Sequence, residues 1–295
     1  MRTNDPQRGG GDSPCPIGEP RPAPVPGTSD PDLEPRNSAY TAYASVDTVL
    51  SLQHPRTNAP TEHGFLILTQ VKELLFKLLH TELNTARDYL MADRLDDVLW
   101  TLRRANRVQQ MLLSCWEWFS ALAPGEFASF RDVLGPASGF QSFSYRRLEF
   151  LLGNKNPQLA KLHQRTPQYA EVLAALNEPS LYDEVLRYMA RRGHAVPPTL
   201  LERDFSVPYE PDAKVAEAWR LVYEQPGEDH GMFLLGEALV DTASLFARWR
   251  YTHLLTVQRV LGDKRGTGGT DGAPWLSRIA EHRFFPELWS MRSTM

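Results

Sequence analysis

Apolar residues recur every three or four positions along most of this 295-residue chain, which is the period of an amphipathic helix. The strongest run follows Pro60-Thr61, where proline at the first helical position favours a helix start. Its apolar stripe consists of Phe65, Leu68, Val71, Leu75, Leu78 and Leu79. Charged residues of the same helix are predicted to lie mostly off that stripe, namely Lys72, Glu73, Lys77 and Glu82. A second long helix is predicted over residues 95–122.

The same period predicts further helices on both sides of this pair. They are a short helix after Ser38 and helical segments over residues 126–134, 144–153, 211–224 and 228–262, with a last one over 275–292 that Pro286 interrupts. Shorter helices are predicted between 155 and 210, with start signals at Thr166-Pro167 and Ser180 and with prolines 197 and 198 as stops. Since no alternating strand pattern occurs, we predict an all-α fold, a helical bundle.

The first 37 residues differ in composition from the rest. Nine of the 23 prolines lie in this stretch together with a GGG run, and large apolar side chains are almost absent. Such a segment cannot bury enough apolar surface to offset the entropy of ordering. We therefore predict a disordered tail over residues 1–37 and a single helical domain over residues 38–295.

Charge and cysteine content narrow the function. The net charge of −4, with acidic and basic residues interspersed, gives no nucleic-acid footprint. Two cysteines cannot make a disulfide framework or a four-thiolate zinc site. The first residues lack the apolar region of a secretion signal, and no apolar run is long enough to span a membrane. We expect a soluble protein of the reducing cytoplasm with no membrane partner.

One histidine lies at an unusual position for an ionisable group. His253 is predicted at the middle of a helical face with Phe246, Trp249, Val257 and Val260. A buried imidazole needs a partner, because leaving it unpaired costs about 1–3 kcal/mol. A core histidine bonded to a backbone carbonyl is the ordinary interpretation, and a carboxylate or a metal are the others.

Two further features have both an ordinary and a functional interpretation. The glycine-rich segment at residues 263–272 matches no nucleotide-binding fingerprint and is most often a connector. Arg131, between apolar neighbours, is either an ion-paired surface residue or a clamp for a carboxylate. No zinc-hydrolase spacing or nucleophile elbow occurs. A helical bundle with an apolar interior and one histidine suits haem, which needs a single imidazole as proximal ligand.

Several motifs together resemble the tryptophan 2,3-dioxygenase family. They are YTAYASVDTVL (40–50), FLILTQVKELLFKLLHTEL (65–83), FRDVLGPASGFQSFSYRRLEFLLGNKNPQ (130–158), SLYDEVLRYMARRGHAVP (180–197), WRYTHLLTVQRVLGDKRGTGGTDG (249–272) and FFPELWSMR (284–292). The resemblance covers nearly everything after residue 38. It implies an oligomeric enzyme, usually a tetramer, that binds haem b and oxygenates tryptophan with O2.

The resemblance also implies roles for particular residues. His253 matches the family's proximal haem ligand, and Ser138 matches the loop near the haem edge. Arg131 and Thr267 match the residues that hold the amino-acid end of the substrate. The remaining implied contacts to substrate are aromatic. Phe65 and Phe127 match the indole pocket, and Tyr40 and Tyr43 match tyrosines that close the site of a neighbouring subunit.

The chain departs from the family pattern at two positions. Thr69 stands where the family has a distal histidine that hydrogen-bonds the indole N–H, and Leu75 replaces a tryptophan. A threonine hydroxyl accepts a hydrogen bond but takes up no proton at neutral pH. Three outcomes stay open. They are the family reaction, ring opening to N-formylkynurenine; insertion of one oxygen from O2 or peroxide to give a 2-oxindole, as in the similar β-methyltryptophan oxygenase of maremycin-type pathways; and a non-catalytic ligand-binding protein.

Overall fold

The computed structural model describes residues 38–262, 264, 266 and 272–295. Over these residues the chain folds into helices and connecting turns without any β-strand, so the all-α prediction is confirmed. The disorder predicted for residues 1–37 concerns a segment outside the described residues. The chain divides into two compact units, one that ends at Leu52 and one that begins at Gln53. The single domain over residues 38–295 stays a prediction.

In the first unit, two short helices replace the one that the sequence predicts. α1 (Ala39–Ala44) begins after Ser38, whose hydroxyl accepts the N–H of Thr41, and α2 is Val46–Leu50. Ser45 separates them with a left-handed backbone (φ 50°), a conformation that ends a helix. Tyr40 and Tyr43, which lie on α1, are 74% and 94% exposed.

The second unit holds the remaining described helices, both long and short. They are α3 (Pro60–Met91), α4 (Leu95–Ala121), α5 (Pro124–Arg131), α6 (Phe143–Leu151), α7 (Pro157–Lys161), α8 (Tyr169–Asn177), α9 (Leu181–Arg191), α10 (Pro198–Leu201), α11 (Ala213–Glu224), α12 (His230–Leu261), α13 (Ala273–Glu281) and α14 (Pro286–Ser290). Short 3-10 segments follow at Asp132–Leu134, Gly139–Gln141 and Met291–Ser293. The two long helices predicted near residues 60 and 95 are therefore confirmed.

Helices α3, α4 and α12 form the centre of the bundle. Their facing apolar stripes bury side chains completely, among them Leu79, Leu83, Leu102 and Leu239. Near its start α3 approaches α4 very closely, as the ring of Trp118 shows. This ring lies where a Cβ atom on Gly64 would be. Glycine is required there by the close approach of the two helices. This tight contact leaves α3 and α4 side by side as two walls of one interior space.

Predicted helix ends agree with the structure except around prolines. The start of α9 is confirmed, since Ser180 caps it by accepting the N–H of Asp183. The prolines at 197 and 198 do not stop a helix: α9 has already ended at Arg191, and Pro198 begins α10. Proline is favoured at the first position of a helix because its missing N–H is not needed there. The last predicted helix is also interrupted before its proline: α13 ends at Glu281, and α14 begins at Pro286 directly after Phe285, whose φ is 58°.

Of the helices that the structure describes, not one combines the length and the apolar character that a membrane span requires.

Candidate functional site

A cavity of about 490 Å³ opens inside the second unit. Its walls come from α3, α4, α5, α6, α12 and α13 and from the loop between α5 and α6. The volume lies within the range of about 300–1,000 Å³ usual for small-molecule and cofactor sites. Of the residues that the sequence predicted for a site, Phe65, Thr69, Phe127, Ser138 and His253 all line this cavity.

One end of the cavity has an aromatic wall. The ring of Phe65 lies 5.5 Å from Phe119, 5.7 Å from Phe127 and 5.3 Å from Phe130, measured between ring centroids. The pairs are tilted or edge-to-face, as aromatic rings prefer. Since α3, α4 and α5 each supply a ring, the wall is held by three helices and is suited to a flat, apolar ligand.

His253 lies on the same cavity and is neutral. Its imidazole stacks on the indole of Trp116, with centroids 4.4 Å and planes 16° apart, and it also contacts Trp249 at 5.7 Å. Burial and, as the smaller cause, the nearby charge of Lys72 together lower the pKa of His253 to about 3. A neutral imidazole has a nitrogen lone pair free, which is the form that binds a metal. Because His253 lines the cavity, a ligand can reach its imidazole, as it could not reach a histidine packed on all sides.

Thr69 is tied to its own helix. Its hydroxyl donates to the backbone carbonyl of Phe65 at 2.8 Å, one turn earlier on α3. A hydroxyl has one proton and two lone pairs, so it can still accept a hydrogen bond from a ligand in the cavity. The hydrogen bond to Phe65 fixes the direction of the oxygen lone pairs, whereas a hydroxyl that rotated freely would have no fixed direction.

Two charged residues of α3 line the cavity, which the sequence did not predict. Lys72 and Glu73 were expected to lie mostly off the apolar stripe of α3, and they line the cavity together with Phe65 and Thr69. Lys72 lies three residues after Thr69 and seven after Phe65, on one helical face. That face meets the cavity instead of a packed core, which is why it admits charged side chains. The spacing of Phe65, Thr69 and Lys72 in the sequence already placed these residues on one face of the helix, but the sequence did not predict the cavity.

Arg131 does not lie among the residues that line the cavity, and Tyr40 and Tyr43 belong to the first unit. Arg131 is half-buried at the end of α5, one turn after Phe127, and so shares a face with a residue that does. Ser138 lies on the loop after α5, where its hydroxyl accepts the N–H of Phe140 at 3.3 Å. Thr267 is outside the described residues, while Gly266 and Gly272 on either side of it in the sequence line the cavity.

A buried ion cluster under the cavity was not predicted. Glu149 forms ion pairs with Arg146 and, at 2.7 Å, with Arg250, and it accepts a 3.0 Å hydrogen bond from the Tyr145 hydroxyl. Burial alone would raise the pKa of Glu149, but the two arginines outweigh it and hold that pKa below its usual value. Tyr145 and Arg146 line the cavity, so the cluster fixes part of its wall.

Comparison with known proteins identifies the family. The sequence model of the tryptophan 2,3-dioxygenase family matches residues 28–178 and 161–295. The tryptophan 2,3-dioxygenase of Ralstonia pickettii is 41% identical over 88% of this chain and 94% of its own length. Those of Cupriavidus necator and Burkholderia multivorans are also 41% identical over 88% of this chain, with 89% and 84% of their own lengths covered.

The chain belongs to the tryptophan 2,3-dioxygenase family. The family resemblance found in the sequence is confirmed, and with it the prediction of a haem-dependent oxygenase. At this level the prediction of haem b as cofactor is confirmed as well.

The cavity fits haem on observations independent of the family. Three buried N–H groups at its wall find no hydrogen-bond partner among the described residues: Trp116 Nε1, Trp249 Nε1 and Arg146 Nε. Buried donors are nearly always paired, so several orphans around one cavity indicate a ligand with acceptor groups. Haem offers two carboxylates for such donors and a flat apolar ring for the aromatic wall. His253 would hold its iron.

Proposed function

We propose that this chain oxygenates the indole ring of L-tryptophan, or of a closely related tryptophan derivative, using haem b and O2. The family reaction inserts both oxygen atoms across indole C2 and C3 and opens the ring to N-formylkynurenine. The observation that carries the proposal is the neutral imidazole of His253 on a cavity that also has an aromatic wall. Haem bound there supplies the activation of O2.

His253 is the proposed proximal ligand, and its surroundings define how it would act. The imidazole makes no hydrogen bond with a carboxylate in the described part of the chain, and its ring is held by stacking on Trp116. A proximal histidine without a carboxylate partner stays neutral and donates little charge to the metal. Such a ligand favours the ferrous state, which is the state that binds O2.

Phe65, Phe127 and Thr69 are proposed to hold the indole. The tilted rings of Phe65 and Phe127 give the ring system an apolar contact on its face and edge. The Thr69 hydroxyl, directed by its bond to Phe65, accepts the hydrogen bond of the indole N–H. Thr69 thus keeps the acceptor role of the missing histidine but not its ability to take up a proton.

The amino-acid end of the substrate is assigned to Arg131 and Thr267, with Ser138 near the haem. Arg131 follows Phe127 by one turn of α5, so a substrate that contacts the phenyl ring lies within reach of the guanidinium. A guanidinium matches a carboxylate with two parallel hydrogen bonds. Gly266 and Gly272, which line the cavity, support a role for the segment that contains Thr267.

We further propose that the enzyme is a homotetramer in which α1 completes the site of a neighbouring subunit. Tyr40 and Tyr43 are three residues apart on one helical face and are strongly exposed. Three apolar residues on α3 are also exposed, namely Ile67, Leu74 and Leu78. Aromatic and aliphatic side chains of this kind are common at subunit interfaces. Light scattering that gave the mass of a monomer would contradict this assembly.

The number of oxygen atoms in the product tests the proposed reaction. Haem-loaded protein is incubated with tryptophan under ¹⁸O₂ and excess ascorbate, which keeps the haem reduced and supplies the two electrons that insertion of a single oxygen atom requires, and the product mass is measured. We expect two labelled atoms and N-formylkynurenine. One labelled atom in a 2-oxindole would favour the second candidate reaction, for which the loss of the distal histidine at Thr69 is the supporting observation. If neither tryptophan nor β-methyltryptophan gave a labelled product, the proposal that the protein is an oxygenase would be contradicted.

A further inference from the structure

Lys72 is a half-buried cation that the proposed chemistry does not use. It lies on the cavity face of α3, one turn after Thr69. Its ammonium is 4.3 Å from the ring centroid of Phe119 and 4.6 Å from that of Trp116. Cation–π contacts of this kind stabilise a charge only in part, because an ammonium has three N–H donors that a ring face does not satisfy.

No carboxylate in the described part of the chain forms an ion pair with this ammonium. Glu73, its neighbour on α3, and Cys115 are the groups whose charge raises the pKa of Lys72, and burial outweighs both and lowers it to about 8. Lys72 therefore remains mostly protonated at neutral pH while most of its hydration is lost. Burying such a charge without a partner is costly.

The ion cluster beneath this wall also has more positive than negative charge. Two buried arginines, Arg146 and Arg250, share the single carboxylate of Glu149. Close to Lys72, the indole N–H of Trp116 is buried without an acceptor. The Lys72 ammonium lies over the Trp116 ring, and the N–H of the same ring has no acceptor among the residues that the structure describes. An anion with two acceptor oxygens could bind both groups, which is the chemistry of a carboxylate.

We propose that Lys72 forms an ion pair with one carboxylate of the bound haem, to which Trp116 Nε1 also donates. The inference rests on the proposed haem site. The lysine side chain is flexible, so its ammonium can leave the ring faces and reach an oxygen beside the edge of the indole. In this arrangement Lys72 selects the orientation of the cofactor and does not contact the indole of the substrate.

Haem whose carboxylates are blocked as methyl esters separates this ion pair from packing. Apoprotein is titrated with haem and with haem dimethyl ester, and dissociation constants are taken from the Soret band. The variants are Lys72→Met, which keeps the length without the charge, and Lys72→Arg, which keeps the charge. Lys77→Met is the matched control, since Lys77 is exposed on the same helix.

We expect Lys72→Met to bind haem about 10- to 100-fold more weakly than the wild type does. Haem dimethyl ester should bind to the variant and to the wild type with equal affinity. Lys72→Arg should retain most of the haem affinity, and Lys77→Met all of it. The Lys72→Met apoprotein should unfold at the same temperature as the wild type or higher, because a half-buried charge without an ion-pair partner is gone.

Each contrary result has a distinct meaning. An unchanged haem affinity in Lys72→Met overturns the ion pair, and an equal loss for haem and its dimethyl ester assigns Lys72 a packing role instead. A lower unfolding temperature of the Lys72→Met apoprotein contradicts the unpaired cation. If the wild type itself gave no saturable Soret band, the proposed function would fail, whereas a normal wild type with an unaffected variant overturns only the role of Lys72.

Discussion

The imidazole of His253 lies flat against the indole of Trp116, with their centroids 4.4 Å apart. The indole that holds the proposed iron ligand also presents a buried N–H without a partner among the described residues. One side chain of α4 thus orients the histidine by stacking and offers a donor to the cofactor. These two contributions can be separated by substitution, because only the second needs the indole nitrogen.

Replacing Trp116 with phenylalanine should preserve the stacking and remove the donor. We expect haem to bind about 5- to 10-fold more weakly, which corresponds to the loss of one hydrogen bond of about 1 kcal/mol. The apoprotein should keep its helical circular-dichroism spectrum. Trp118→Phe, on the same helix and half-buried, is the control and should bind haem normally. Equal affinities of the Trp116 variant and the wild type would rule out this donor.

The hydroxyl of Thr69 should matter only for substrates that carry an indole N–H. Thr69→Val removes the hydroxyl at nearly constant volume, and we expect kcat/KM for tryptophan to fall about 5- to 10-fold. With 1-methyltryptophan, which lacks the N–H, the variant and the wild type should be equally active. Thr69→Ser serves as the control that keeps the acceptor. A similar loss with both substrates would mean that Thr69 acts by shape alone.

Removing the guanidinium of Arg131 should weaken substrate recognition without affecting the cofactor. Arg131→Ala is expected to raise KM for tryptophan strongly and to lower kcat/KM by about 10- to 100-fold, the effect of a lost charge-assisted pair. Haem content should stay the same. Tryptamine, which has no carboxylate, should be bound equally by both proteins. An unchanged KM for tryptophan would exclude Arg131 from the site.

The ion cluster around Glu149 should make stability depend on acid pH. The folded-state pKa of Glu149 is held below the usual 4.5, so its stabilising contribution is complete above that value and is lost as pH falls through the folded pKa. Glu149→Gln leaves Arg146 and Arg250 without their carboxylate, and we expect a loss of about 3–5 kcal/mol at pH 7.

Urea unfolding at pH 7 and pH 3 measures this effect. The wild type should lose stability between the two values by more than Glu149→Gln does, since the variant has no carboxyl group to protonate. Glu117→Gln, at an exposed position of α4, is the control and should follow the wild type. Parallel pH profiles of the wild type and the Glu149 variant would show that the cluster does not contribute.

Much of the fold could be predicted from the sequence because helical periodicity is local. The apolar face around His253 is such a case: Trp249, Val257 and Val260 line the cavity with it, at the spacing that the sequence showed. Helix starts at Pro60 and Ser180 were predictable for the same reason, since capping depends on a few adjacent residues.

Features that depend on distant residues could not be predicted. The pair between Glu149 and Arg250 joins positions 101 residues apart, and sequence spacing carries no information about such a contact. The position of Lys72 on a cavity could not be predicted either, because the cavity forms between helices that are far apart in the sequence. Family resemblance indicated the roles of Arg131 and Thr267, which periodicity could not, and these roles remain predictions.

The visible spectrum of the haem-loaded protein tests most directly whether His253 holds the iron. Wild type, His253→Gly and His63→Ala are titrated with haem, the last being a control because His63 is exposed on α3. We predict one saturable Soret band for the wild type and the His63 variant, its loss or displacement in His253→Gly, and its recovery when imidazole is added. A Soret band of unchanged position and affinity in His253→Gly would contradict the assignment of His253 as the haem ligand.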